Sequence, residues 1–192
     1  MLRHLPNLIT MARMLLVVPV AWSIRERHYG FALLLATIAG STDALDGYLA
    51  KRFGWRSWVG GILDPIADKL LLITCFIVLG LIDQHPIWLT GLVIGRDVVI
   101  VLGAIAYHRL VGPIEAQPTL ISKFTTCVQI LYVLVQLLRL TQWVEVSSAW
   151  ISVLIMLVAI ATLASGIDYV VRWSLKTRRA RAALGGKNTH GD

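Results

Sequence analysis

Apolar residues along the chain fall into six long runs that are separated by short polar stretches. The runs cover residues 8–24, 31–49, 62–82, 87–107, 120–140 and 147–171. As a helix, each run is long enough to cross a hydrocarbon core of about 30 Å. The first run is interrupted by Arg13 and is expected to be retained rather than cleaved as a signal peptide. The pattern predicts an all-α integral membrane protein with six transmembrane helices.

The composition agrees with this prediction. The chain is 57% hydrophobic and only 15% charged, whereas soluble domains carry about 25% charged residues. Its 192 residues are close to the length of one domain, so the same helices must supply both the scaffold and the functional site. We expect a transmembrane domain over residues 1–175 and a basic, flexible tail over residues 176–192.

Lysine and arginine are distributed unevenly between alternate loops. If the N-terminus is cytoplasmic, the segments on that side hold eleven basic residues and the opposite loops hold three. Because translocation of these residues is unfavourable, both termini are expected in the cytoplasm. The basic cluster from Arg172 to Arg181 is interpreted as a membrane flank rather than a nucleic-acid-binding surface, since no recognition motif accompanies it. Short loops and the lack of an extended presequence favour a bacterial inner membrane.

Four aspartates lie in the second and third apolar runs, where a charge near a helix centre costs about 2.5–3.5 kcal/mol. Asp43 and Asp46 are spaced i,i+3, and Asp64 and Asp68 are spaced i,i+4. Each pair should share a helix face, and neighbouring antiparallel helices could aim all four at one point. Such converging anions require a cation. Oxygen ligands suit Mg²⁺, or else Mn²⁺ or Ca²⁺, and four carboxylates are enough for two ions.

Two other interpretations of these aspartates stay open. They could form a structural network with the basic residues nearby, Lys51, Arg52, Arg56 and Lys69. They could also line an ion or proton path through a transporter. Retention of four acidic side chains at regular spacing argues against the network. Their position at one end of the helices, with no broken-helix inverted repeat in the sequence, argues against the transporter.

The segment that contains the aspartates has the pattern Asp43-x2-Asp46-Gly47-x2-Ala50-Lys51-x8-Gly60-x3-Asp64-x3-Asp68. This pattern resembles the signature of the CDP-alcohol phosphatidyltransferases, which are integral membrane enzymes with six transmembrane helices that usually form homodimers. Every fixed position but one matches, and every spacing is kept. The departure is Lys51, where the family usually has arginine. Lysine keeps the charge but loses the bidentate fork, and Arg52 next to it could share the contact.

The resemblance implies the role of each aspartate. Asp43, Asp46 and Asp64 would hold the divalent metals that bind the diphosphate of a CDP-linked lipid. Asp68 would reach the second metal and act as the general base. The implied reaction transfers a phosphatidyl group from CDP-diacylglycerol to an alcohol acceptor and releases CMP, with membrane lipids as the other partners and no nucleic acid involved.

The resemblance also implies a set of nucleotide-binding residues. Some lie in the signature itself, and the others lie in the N-terminal Asn7-x2-Thr10-x2-Arg13, which resembles the opening of the family's first helix. The set comprises Asn7, Thr10, Arg13, Gly47, Ala50, Lys51, Arg52 and Gly60. From the residues alone, Arg13 could instead offset the charge of the aspartates.

Two further cations inside apolar runs, Arg96 and Lys123, are candidates for acceptor binding. A phosphate-bearing acceptor needs such cations, although Arg96 could instead pair with Asp97. The segment around Lys123 is similar to that of phosphatidylglycerophosphate synthases, which favours glycerol 3-phosphate as the acceptor. Asp97 and Thr125 resemble the CMP-forming cardiolipin synthases of the same family, and phosphatidylglycerol is therefore the first alternative acceptor. Another alcohol, such as serine or inositol, also stays open.

Overall fold

The computed structural model describes the backbone of residues 5–53, 58–110 and 119–185, and the side chains of residues 11–42, 69–103, 105, 106 and 119–174. This part of the chain contains six α-helices and no strand. The helices are α1 (Leu5–Arg25), α2 (Tyr29–Phe53), α3 (Trp58–Leu81), α4 (Ile87–Leu110), α5 (Leu120–Thr141) and α6 (Ser148–Gly185). The all-α class and one helix for each apolar run are confirmed.

Helix α6 extends well beyond the apolar run that predicts it. The run ends near residue 171, whereas the helix continues to Gly185. The added residues are mainly arginine, alanine, leucine and lysine, which favour a helix without needing to be buried. Hydropathy therefore locates the apolar part of this helix but not its end. The flexibility of residues 176–192 stays a prediction.

Three tight connections lie together at one end of the bundle, which we call the hairpin end. They are residues 26–28, 82–86 and 142–147. The Gln136 side-chain amide donates a hydrogen bond of 2.8 Å to the carbonyl of Gln84. A Cβ at Gly30 would lie 3.1 Å from the Trp143 indole, so the glycine allows the first and third connections to meet. The opposite end, where α2 ends and α3 begins, is called the motif end.

Buried side chains change in character along the bundle. Towards the hairpin end they form the hydrophobic core, which includes Val20, Ile24, Phe76, Leu79, Leu89, Val93, Tyr132 and Leu137. Towards the motif end many are polar, including Arg13, Arg96, Thr125, Gln129, Thr162 and Ser165. Buried polar side chains also occur near the hairpin end, at Ser23, His85, Thr90 and Gln136, but the two buried arginines both lie towards the motif end. Because a buried charge is costly unless it is paired, that half of the bundle needs a functional explanation.

The outer faces of the helices are apolar. Every helix exposes large hydrophobic side chains, for example Leu15, Leu34, Leu81, Leu102, Leu131 and Ile160. Among the described residues, two stretches are long and apolar enough to cross a membrane, Leu120–Thr141 and Ser148–Ser174. A soluble monomer rarely exposes so much contiguous apolar surface. The surface therefore indicates association with a membrane.

Candidate active site

The aspartate motif is carried by two helices at the motif end. Positions 43 and 46 belong to α2, and positions 64 and 68 belong to α3. Each pair thus lies about one turn apart on a continuous helix, as the spacing predicts. The side chains of Asp43, Asp46, Asp64 and Asp68 lie outside the described residues. Their convergence on one point stays a prediction.

Most of the predicted nucleotide-binding side chains also lie outside the described residues. These are Asn7, Thr10, Gly47, Ala50, Lys51, Arg52 and Gly60. Among the side chains that the structure describes, no group of three or more histidines, cysteines, aspartates or glutamates could hold a metal ion. The aspartate motif stays the predicted metal site, and four carboxylates are a donor set that suits Mg²⁺.

Helices α2 and α3 are separated by a cavity along their described length. Both helices contact α1 and α5, but within this part of the chain they do not contact each other. The sequence predicts that α2 and α3 are neighbours at the aspartate motif, whose side chains lie outside the described residues, so this stays a prediction. The cavity between the two helices has a volume of about 580 Å³.

The cavity is polar near the motif end and apolar deeper in the bundle. Its polar lining includes Arg13, Ser41, Lys69 and Asp97, and its apolar lining includes Leu71, Leu72, Cys75, Val133 and Leu134. In sequence, Ser41 lies two residues before Asp43, and Lys69 directly follows Asp68. The polar part of the cavity therefore adjoins the aspartate motif.

Arg13 is the one predicted nucleotide-binding residue whose side chain is described. It is only 2% exposed, and it lines the cavity from α1, a helix that packs against both α2 and α3. A buried guanidinium at this place suits either role that the sequence left open, a contact with the nucleotide or compensation of the aspartates.

Arg96 is the centre of a polar cluster that joins three helices. Its Nη1 donates to Asp97 Oδ1 at 2.6 Å, and its Nη2 donates to Ser122 Oγ and to Ser165 Oγ, each at 2.6 Å. Its Nε donates to Ser165 Oγ at 3.2 Å. The guanidinium thus connects α4 to α5 and α6. The ion pair with Asp97, one of the two roles left open by the sequence, is present; contact with an acceptor stays a prediction.

Lys69 extends this cluster to α3. Its Nζ donates to the same Asp97 oxygen at 2.5 Å. The Lys69 side chain is 41% exposed, whereas that of Arg96 is 4% exposed. We call the set Lys69, Arg96, Asp97, Ser122 and Ser165 the arginine network. The sequence indicates Lys69 only as a partner of the aspartates, because nothing in it relates position 69 to position 97.

Lys123 lies in the first turn of α5 and is exposed. Thr119 caps this helix, since its Oγ1 accepts a hydrogen bond of 3.1 Å from the Ser122 backbone N–H. Lys123 precedes Thr126, which lines the cavity, by about one turn. An acceptor contact by Lys123 stays a prediction. The neighbouring Ser122, which no sequence pattern marks as functional, is the residue that accepts a hydrogen bond from Arg96.

Comparison with known proteins agrees with the resemblance seen in the aspartate motif. Residues 3–165 match the family model described as CDP-alcohol phosphatidyltransferase. The chain is 32% identical to a Bacillus subtilis (strain 168) protein named CDP-diacylglycerol–glycerol-3-phosphate 3-phosphatidyltransferase, with 91% of this chain and 98% of that protein aligned.

Two longer relatives carry different names. A chloroplast protein of Oryza sativa subsp. japonica, named CDP-diacylglycerol–glycerol-3-phosphate 3-phosphatidyltransferase 1, is 32% identical over 92% of this chain and 59% of its own length. The cardiolipin synthase (CMP-forming) of Homo sapiens is 31% identical over 86% of this chain and 60% of its own length. The chain thus spans about three fifths of these two relatives.

Proposed function

The chain belongs to the CDP-alcohol phosphatidyltransferase family, and on that premise we propose that it transfers a phosphatidyl group from CDP-diacylglycerol to an alcohol acceptor and releases CMP. The observation that carries the proposal is the cavity whose polar lining, with Arg13, Lys69 and Asp97, adjoins the aspartate motif. Names of the relatives support a place in phospholipid biosynthesis.

In the proposed reaction, the acceptor hydroxyl oxygen attacks the β-phosphorus of CDP-diacylglycerol. The bond between this phosphorus and the CMP oxygen breaks, and Asp68 takes the hydroxyl proton. Two Mg²⁺ or Mn²⁺ ions held by Asp43, Asp46, Asp64 and Asp68 would supply positive charge to the diphosphate as CMP leaves. The buried guanidinium of Arg13 adds a fixed cation on the α1 side of the same space.

We further propose that all six helices span the membrane, with both termini and the aspartate motif on the cytoplasmic side. Tryptophans concentrate at membrane interfaces, and the exposed Trp22, Trp88, Trp143 and Trp150 are all near the hairpin end. On α6, Trp150 and Trp173 are 23 residues apart, a rise of about 34 Å at 1.5 Å per residue. This matches a hydrocarbon core of about 30 Å. The proposed homodimer rests on the family alone.

Glycerol 3-phosphate is the preferred acceptor in this proposal. The support is the Bacillus subtilis relative, which the chain matches over 98% of its length and whose name specifies that acceptor. Phosphatidylglycerol is the second candidate. It is favoured by the apolar inner wall of the cavity, which could accommodate hydrocarbon, and by the name of the human relative.

Purified protein in detergent, supplied with Mg²⁺ and CDP-diacylglycerol, tests the proposal. CMP release should depend on one acceptor, and the mass of the lipid product should identify it. Asp43→Asn and Asp68→Asn should each lower the rate by at least about 100-fold because they remove a metal ligand or the base. Asp83→Asn, at the hairpin end, is the control and should leave the rate unchanged.

Two results would contradict this assignment. Undiminished CMP release by both motif variants would show that the aspartates are not the site. Mg²⁺ or proton flux through proteoliposomes, with no CMP formed from either acceptor, would instead support the transporter that the sequence left as an alternative.

A further inference from the structure

The arginine network has more positive than negative charge among its described members. Two cations, Lys69 and Arg96, share a single oxygen of Asp97. The other hydrogen bonds of Arg96 go to serine hydroxyls, which are neutral. An unbalanced charge beside apolar helices is costly, so the network favours an anion next to it, which either a ligand phosphate or the neighbouring aspartate motif could supply.

The two cations differ in access. The Arg96 side chain is 4% exposed and is surrounded by hydrogen-bond acceptors from three helices. The Lys69 side chain is 41% exposed and lines the cavity. Lysine is also the flexible cation of the two, with three donors on one nitrogen and only one of them used by Asp97. Lys69 is therefore the member of the network that can reach a ligand.

Building on the proposed function, we propose that Lys69 binds the phosphate group of the acceptor, that Asp97 positions the Lys69 ammonium at the cavity wall, and that Arg96 anchors Asp97 to α5 and α6. Asp97 restricts the lysine to one direction, which lowers the entropic cost of binding an anion. Arg96 donates to the same carboxylate oxygen from the buried side. This hydrogen bond keeps the Asp97 side chain directed at the cavity.

The position of Lys69 in the cavity is the reason for proposing the acceptor phosphate as its ligand. Helices α3, α4 and α5 line one side of the cavity through Lys69, Asp97 and Thr126. The aspartate motif assigned to the diphosphate lies on α2 and on the part of α3 that ends directly before Lys69, so a phosphate bound by Lys69 would lie next to the diphosphate. Both candidate acceptors carry a phosphate, a monoester in glycerol 3-phosphate and a diester in phosphatidylglycerol. A monoester carries more charge, so it should depend more strongly on Lys69.

Steady-state kinetics of the full-length protein in detergent, with the acceptor varied at saturating CDP-diacylglycerol, test this inference. Lys69→Gln should raise the KM for the acceptor by at least about tenfold, the usual effect of losing a charge-assisted hydrogen bond, with little change in kcat. Lys69→Arg should restore most of the lost affinity. The increase should be larger with glycerol 3-phosphate than with phosphatidylglycerol.

A double-mutant cycle tests the positioning role of Asp97. Asp97→Asn should raise the same KM, and the double variant Lys69→Gln/Asp97→Asn should have a KM no higher than Lys69→Gln alone, because Asp97 acts through the lysine. Asp168→Asn is the matched control. It breaks a different ion pair of the described residues, in which Arg172 Nε lies 2.7 Å from Asp168 Oδ1. This variant should leave the KM for the acceptor unchanged.

Three outcomes would overturn the inference: an unchanged acceptor KM in Lys69→Gln, additive effects of the two substitutions, or a shift in the Mg²⁺ requirement in place of the acceptor KM. The last would mean that Lys69 pairs with the aspartate motif.

Thermal unfolding gives a readout that is independent of turnover. Glycerol 3-phosphate or phosphatidylglycerol should raise the Tm of the wild type but not of Lys69→Gln, whereas glycerol and diacylglycerol should raise neither. A wild type that is stabilised in this way but releases no CMP would refute the proposed function and leave the phosphate contact standing. Equal stabilisation of wild type and variant would refute the phosphate contact.

Discussion

The buried polar groups at the two ends of the bundle use different chemistry. Near the hairpin end, His85 Nε2 and Thr90 Oγ1 are 2.8 Å apart, and the Thr90 hydroxyl donates to the carbonyl of Phe76 at 3.0 Å. The His85 ring also packs edge-on against Phe76 and Tyr132. We call these four residues the histidine cluster. The arginine network, nearer the motif end, uses charged groups instead.

This difference indicates that the histidine cluster serves stability alone, whereas the arginine network serves function as well. Burial lowers the pKa of His85 to about 4, so the ring is neutral at pH 7 and needs no counter-ion. The arginine network keeps an exposed ammonium beside a cavity. A neutral hydrogen-bonded cluster can hold helices together at little electrostatic cost. A charged cluster among apolar helices is costly, and this cost is explained if a ligand binds to the charge. Substitutions in each region should therefore have different consequences.

The largest effect on stability is expected from Arg96→Met. It keeps much of the apolar volume of the side chain but removes every hydrogen bond from α4 to Ser122 and Ser165, and we expect a loss of about 3 kcal/mol. Unfolding in detergent micelles would measure it. Ser165→Ala is the control, since the guanidinium keeps Asp97 and Ser122, and should cost about 1 kcal/mol. Equal losses in the two variants would show that Arg96 is not an anchor.

Gly80→Ala should disrupt the histidine cluster. A Cβ at this position would lie 2.9 Å from Thr90 Oγ1 and 3.3 Å from His85 Nε2, so both side chains must move apart. We expect a destabilisation of about 2 kcal/mol, with the activity of the folded enzyme unchanged. Gly91→Ala is the matched control, because nothing lies within 4 Å of its added Cβ. A loss of kcat in Gly80→Ala at full folding would contradict a purely structural cluster.

The stability of the protein should decrease in mild acid because His85 is buried. The folded chain keeps His85 neutral down to about pH 4, whereas the unfolded chain takes up the proton near pH 6.5. Between these values the unfolded state binds more protons, so the stability that His85 contributes is complete above about pH 6.5 and decreases as the pH falls. By pH 5.5 the loss should be about 1 kcal/mol.

His85→Gln isolates this contribution. Glutamine does not titrate, so the Tm of the variant should fall less between pH 7 and pH 5 than the Tm of the wild type. Other acidic groups titrate equally in both proteins and cancel in the difference. Parallel pH profiles would mean that His85 is accessible to protons in the folded chain.

The sequence predicted the elements of the fold well because apolar runs of membrane length leave few alternatives to helices. It could not predict that α1 and α5 each contact both α2 and α3 along their described length, since hydropathy contains no information on which helices touch. The same limit applies to the site. The aspartates form a local pattern within one segment, whereas Lys69, Asp97 and Ser165 are brought together only by packing of distant helices.

The smallest expected change in stability comes from the end of α5, at the hairpin end. Unlike a change in the arginine network, it should leave acceptor binding unaffected. Gln142 ends α5 in the left-handed region, with φ 60°, and its N–H donates to the carbonyl of Arg139. Side chains with a Cβ are strained there and glycine is not, so Gln142→Gly should stabilise the protein by up to about 1 kcal/mol. Gln142→Ala removes the same polar group but keeps the Cβ, and it should give no gain. Because the relief is local to the backbone, neither variant should alter the KM for the acceptor, whereas a change in KM would mean that the two ends of the bundle are coupled.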